Sequence, residues 1–131
     1  MKGKLVVAVL TALTLTLAVS ATFALAGGWA EATMKINGTY RHGSSSEVGI
    51  TGIINTSKDC TPSRKITVYK KKGHKLKRKG GGTTFSTGRW EAKTGKGKNV
   101  ANGTYVAKVK SGTGRHQAKC AGDTSKPVKL P

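Results

Sequence analysis

Ten consecutive residues constrain this chain more than any others. Lys70-Lys71-Lys72-Gly73-His74-Lys75-Leu76-Lys77-Arg78-Lys79 places eight basic side chains together, His74 among them, with no acid in the run. Such a segment cannot enter a core, because each unpaired ammonium group taken out of water costs several kcal/mol. Whatever fold forms must therefore hold residues 70–79 in solvent. The flanks suggest how. Arg64-Lys65-Ile66-Thr67-Val68-Tyr69 sets Ile66 and Val68 against Lys65, Thr67 and Tyr69, the period-2 alternation of a half-buried strand. Gly80-Gly81-Gly82 reads as the break after the basic tip, and a second strand returns from there to Trp90.

Elsewhere the chain keeps the same style. Thr33-Met34-Lys35-Ile36 predicts a short strand stopped by the turn dipeptide Asn37-Gly38, and Arg41–Ser46 a loop. Glu47–Asn55 is rich in β-branched residues and glycine, a strand with a bulge or close backbone approaches. Thr87-Gly88 reads as a tight turn or bulge before Arg89–Lys93. Thr104–Lys110 puts Tyr105, Ala107 and Val109 on one face, and Lys126–Leu130 is expected as a final edge strand containing Pro127. Trp90 and Tyr105 fall at apolar strand positions and are expected in the core. After residue 26, no window of ten residues repeats apolar positions at helical spacing. The pattern is that of an all-β, immunoglobulin-like sandwich of about six to seven strands.

The first 26 residues read differently. Lys2 and Lys4 precede the uncharged stretch Leu5–Val19, and Ala24-Leu25-Ala26 is an A-x-A cleavage signal before Gly27-Gly28. That is the template of a helical signal peptide, and the apolar stretch is shorter than the roughly 20 residues a membrane span needs. The expected organisation is thus a signal peptide over 1–26, a partly ordered N-terminal segment over 27–46 and a sandwich domain over 47–131. The mature chain is expected to be secreted, extracellular and without a membrane span. Loss of Lys2 and Lys4 leaves 22 basic residues against five acids, a net charge of +17 over 105 residues. Self-repulsion of that size favours solubility and opposes compaction, and it points to anionic partners.

Cys60 and Cys120 are the only cysteines. An even count in an oxidising compartment argues for one disulfide, contributing about 4 kcal/mol in the chain-entropy model. The alternative is two free thiols or metal ligands. Against it stand the absence of a C-x-x-C pair and the scatter of the three histidines.

Four motifs in order carry a resemblance: Thr51-Gly52-Ile53-Ile54-Asn55, Arg64–Tyr69, Ser86-Thr87-Gly88-Arg89-Trp90 and Gly103-Thr104-Tyr105-Val106-Ala107. Together they resemble the carboxypeptidase regulatory-like, or transthyretin-like, sandwich over about residues 48 to 130. More narrowly, Cys60-x-x-x-Arg64 and Cys120 with Ser125-x-x-Val128 resemble small secreted bacterial proteins of unassigned role. The chain departs from the family in Ser86, where an acid is common, and in its long lysine run. The resemblance implies a non-catalytic accessory or adhesive module and transfers no active site.

Catalytic chemistry is not expected. Glu31, Glu47, Asp59, Glu91 and Asp123 are spread along the sequence with no pair at acid–base spacing. His42, His74 and His116 each adjoin a cation, and Gly80-Gly81-Gly82 is not followed by the Lys-Ser/Thr of a phosphate loop. No catalytic residue, metal site or cofactor is assigned. The basic run has two readings. One is a solvated tip whose lysines block strand-to-strand aggregation. The other is a polyanion site of Lys70, Lys71, Lys72, His74, Lys75, Lys77, Arg78 and Lys79, which would bind through counterion release. Its expected partner is an anionic polymer or cell-surface material. Sequence-specific nucleic acid is not expected, as aromatics are few and no recognition helix is visible. A protein-binding adhesion module, with charge serving solubility, is the competing function.

Overall fold

The computed structural model describes residues 28–131, so the expected signal peptide lies outside the described residues. Alternating sequence becomes strand nearly throughout. In chain order the strands are β1 (Trp29–Ala30), β2 (Thr33–His42), β3 (Glu47–Asn55), β4 (Lys65–Lys72), β5 (Lys75–Thr83) and β6 (Arg89–Lys96), then β7 (Gly103–Val109), β8 (Gly112–Thr113), β9 (Lys119–Cys120), β10 (Asp123–Thr124) and β11 (Val128–Leu130). Single 3-10 turns at Lys58–Cys60 and Arg115–Gln117 are the only helical pieces among the described residues.

One antiparallel sheet runs β10-β7-β4-β5-β6-β3-β2, with β11 also on β7, and a small second sheet runs β1-β9-β8. The main sheet curls until its two edges approach. There the Met34 amide, on β2, donates to Asp123 Oδ2 on β10 at 2.7 Å, so a side chain rather than a backbone ladder spans the seam. The curl encloses the core. Ile50, Ile66, Val68, Trp90 and Ala92 are wholly buried, with Met34, Val48, Ile54, Tyr105, Ala107 and Val109 around them. These are alternate residues of β2, β3, β4, β6 and β7, as a half-buried sheet requires. Trp90 and Tyr105 are in the core as expected. Burial of rings this size is worth roughly 4–6 kcal/mol each before entropy is subtracted.

Several expectations need correction. Asn37-Gly38 does not stop a strand. β2 continues through it to His42, and the β2–β3 register slips by one residue between Ile36 and Gly38. The dipeptide's freedom is spent on a bulge, because ladder bonds on both sides outweigh the local turn preference. Within the segment expected to be only partly ordered, Trp29–Ala30 pairs in parallel with Lys119–Cys120 and β2 joins the main sheet. The strand count exceeds six to seven because β1, β8, β9 and β10 have two residues each, too short to leave a period in sequence; β11 is the short strand expected within Lys126–Leu130.

Gly80-Gly81-Gly82 is also not a break: all three lie within β5. A Cβ on Gly80 or Gly82 would collide with the carbonyl oxygens of Lys93 or Glu91 on β6. The glycines let β6 fold closely over β5, which is where the sheet turns.

Cys60 and Cys120 form a disulfide with their Cα atoms 5.6 Å apart, joining the 3-10 turn after β3 to β9. Beside it, Arg64 is only 6% exposed. Its guanidinium donates to the carbonyls of Cys60 (3.0 Å), Lys110 (2.9 Å) and Ala121 (3.0 Å). Burial lowers its proton affinity. The three acceptors favour the charged form, and guanidinium's ordinary affinity is high enough to keep it protonated at neutral pH. The Arg64 amide donates to the buried Thr84 hydroxyl at 2.7 Å, which donates on to the Thr61 carbonyl at 2.6 Å. This network fixes the start of β4 and with it the hairpin.

Candidate functional site

The basic decapeptide is not a loose tip. It is the paired end of the β4–β5 hairpin, in register Tyr69↔Arg78, Lys70↔Lys77, Lys71↔Leu76 and Lys72↔Lys75. The two-residue connection Gly73-His74 closes it, with Gly73 at φ +61. A positive φ at the first position of such a loop matches the twist of the flanking strands, and glycine adopts it without strain. Charge dictated exposure, but two strands that project past the core are exposed on both faces and can still form a ladder.

How far they project follows from the neighbours. On one side β7 accompanies β4 as far as Lys71↔Thr104. On the other, the ladder between β5 and β6 is confined to Gly81↔Lys93. The stretch from Lys75 to Lys79 thus has a free outer edge, and its cations also discourage strand addition there.

Opposite residues share a face, so the register divides the charge. Lys70, Lys72, Lys75 and Lys77 lie on the face that continues from Ile66 and Val68, a two-by-two array of lysines. Like charges directly opposite destabilise a ladder by a few tenths of a kcal/mol. The reverse face carries Tyr69, Lys71, Leu76 and Arg78, and there Lys108 Nζ stands 5.2 Å from the Tyr69 ring centroid. Lys79 belongs to neither array. The β4–β5 register slips between Val68 and Tyr69, leaving Lys79 unpaired at the foot of the hairpin, where it is half-buried while Lys75, Lys77 and Arg78 are exposed. His74 sits in the connecting turn.

The acids are elsewhere. Tyr40 Oη donates to Glu47 Oε2 at 2.9 Å. Glu91 meets His42 at 3.3 Å and Arg89 at 3.6 Å, and Asp59 meets His116 at 3.1 Å. Asp123 holds the Met34 amide. Four of the five acids are therefore engaged away from the hairpin, and among the described residues no cation of 70–79 forms an ion pair. Glu47 and Glu91, distant in sequence, are brought to one face around Tyr40. Burial there, the hydrogen bond to Glu47 and the charges of both carboxylates push the Tyr40 phenol well above its usual range. Sequence spacing hid this cluster because β2, β3 and β6 must pair before the residues meet.

Sequence reasoning gave Arg64 a place at a strand start and in the Cys60-x-x-x-Arg64 motif but not its three carbonyl acceptors, and it did not place Lys96 of β6 beside the hairpin's foot. A comparison with protein-family models returns no match for this chain, and a comparison with curated proteins returns none either.

Proposed function

We propose that this protein is a secreted, non-enzymatic binding module that associates electrostatically with anionic polymers or surfaces through the Lys70–Lys79 hairpin. The observation that carries the reading is the separation of charge: the cations from Lys72 to Arg78 project beyond the β7 ladder, which ends at Lys71↔Thr104, while four of the five acids are held in contacts elsewhere. A polyanion entering there displaces only counterions. Lysine dominates the site, and its ammonium is a point charge rather than a bidentate fork, so selectivity among phosphate, sulfate and carboxylate polymers is low. Export agrees with the disulfide, since such bonds persist in oxidising compartments.

A transthyretin-like sandwich is part of this proposal. Its support is that the family-like motifs fall in β3, β4, the corner before β6, and β7, strands that line the core. In that family the domain is an accessory module, which agrees with binding rather than turnover. The adhesion alternative, a protein partner with charge serving solubility, draws on Phe85, which is 49% exposed at the β5–β6 turn.

Retention of the mature protein on heparin and phosphocellulose resins, followed across a salt gradient, tests the reading. Changing Lys70, Lys71, Lys72, Lys75 and Lys77 to serine is expected to lower the elution salt on both. Each lysine that contacts the polymer should also remove about 0.7–0.9 from the slope of log K against log salt. An unchanged slope sinks the hairpin assignment, and capture of a protein that survives the replacements favours adhesion.

A further inference from the structure

Two ladder irregularities converge on one place. The β4–β5 slip leaves Lys79 without an opposite residue, and a second slip, in β3–β6 between Val48 and Gly49, does the same for Thr94. Both residues line a cleft of about 210 Å³ between the hairpin's foot and the β6–β7 connection. Lys96 and Asn99 line it too, and its apolar wall includes Val100 and Tyr105, both buried. No acid lines this cleft. Glu47 is the register partner of Lys96, but its carboxylate accepts from Tyr40 instead.

A bulge re-aims the side chain of its extra residue and is enriched beside binding sites and at the rims of curled sheets. Here the two extra residues bring an ammonium-bearing and a hydroxyl-bearing side chain to the lining, the Thr94 hydroxyl donating to the Val48 carbonyl at 3.3 Å, and Lys96 and Asn99 are exposed residues of the same lining. The volume equals that of roughly seven waters, room for one acidic group together with the unit that bears it. Two lysines with an amide donor and no acid in the lining suit an oxyanion and disfavour a cation.

We infer that this cleft is a discrete oxyanion site, taking one phosphate, sulfate or carboxylate group. It deepens the polyanion reading and rests on it in this respect: the lysine array of 70, 72, 75 and 77 attracts the polymer diffusely, and the cleft holds one charged group of it in a fixed place. The polymer is thereby given a starting point at Lys79 and Lys96 and a direction out along the hairpin.

The test is titration of the isotope-labelled mature protein with inorganic phosphate, and separately with sulfate and acetate, at constant ionic strength, read from amide chemical shifts. Saturable shifts are expected at Lys79, Thr94, Lys96 and Asn99, with those at Lys72–Lys75 small and linear. The Lys79→Gln/Lys96→Gln variant should raise the midpoint at least tenfold and Asn99→Ala about threefold, while Lys58→Gln, an exposed lysine of the 3-10 turn after β3, leaves it unchanged. The ranking of the three anions identifies the preferred group. Shifts spread evenly over the lysines, or saturation that survives Lys79→Gln/Lys96→Gln, overturn the cleft even if resin retention still depends on the hairpin. Saturation at the cleft with retention indifferent to the hairpin serines leaves the cleft standing and removes the polymer reading.

Discussion

The two ends of β4 treat positive charge in opposite ways. At its start Arg64 is buried beside the disulfide, with three backbone carbonyls converging on its guanidinium. At its far end Lys71, Lys72 and the cations of β5 from Lys75 to Arg78 are exposed, with Lys70 half-buried beside them, and none meets a carboxylate. The difference is made by the backbone. Near Cys60 and Cys120 three separate segments pass Arg64, so the carbonyls of Cys60, Lys110 and Ala121 meet at one point and a cation there is structural. Beyond Thr104 no strand of β7 pairs with β4, and among the described residues no carboxylate meets the lysines there.

If that contrast is right, stability should fall steeply for changes at the Arg64 end and hardly at all for changes at the lysine end. Arg64→Ala has the largest expected effect. It strands three carbonyls, each costing about 1–3 kcal/mol when buried without a partner, for a total of about 5 kcal/mol in urea unfolding. Arg64→Lys should recover only part, since one ammonium cannot fork among three segments. A loss under 1 kcal/mol for Arg64→Ala would break the comparison.

Next comes the cross-link. Replacing Cys60 and Cys120 together by serine should cost about 3–4 kcal/mol, a drop in melting temperature of at least about 12 °C for a domain this size. Resin retention at a temperature where the variant is still folded should not change. Third, Gly80→Ala tests where the hairpin's structural foot lies. Its new methyl meets the Lys93 carbonyl, and about 1–3 kcal/mol should be lost in the same unfolding assay. Smallest is the five-serine hairpin, whose unfolding free energy should stay within about 0.5 kcal/mol of the parent, with any change toward greater stability as repulsion is relieved.

Much of the framework could be read from residues in order. Glu47–Asn55 and Thr104–Val109 alternate in sequence as they do in β3 and β7, and Thr87-Gly88 turns where it was expected, with Gly88 at φ +92. Two cysteines in an otherwise cysteine-free chain gave the disulfide. What was hidden depends on partners distant in sequence. Asn37-Gly38 signals a turn in isolation and becomes a bulge only because β3 continues alongside. The three glycines of β5 signal a break until β6 is seen folded over them. Arg64 looks like one more surface cation, since nothing local reveals that Lys110 and Ala121 will aim carbonyls at it. For the hairpin, charge established exposure and gave no hint of pairing. The foot of the hairpin was the least legible part, because a bulge leaves no periodic trace at Lys79 or Thr94.

The Asp123–Met34 contact has its own consequence for a chain this cationic. Where the curled sheet fails to close, β2 offers amides that another copy's strand could accept as a template. A carboxylate already occupies the first of them, as a stopper in the open end of a ladder. Dispersal of the protein would then depend as much on one acid set into that seam as on the excess of lysines around it.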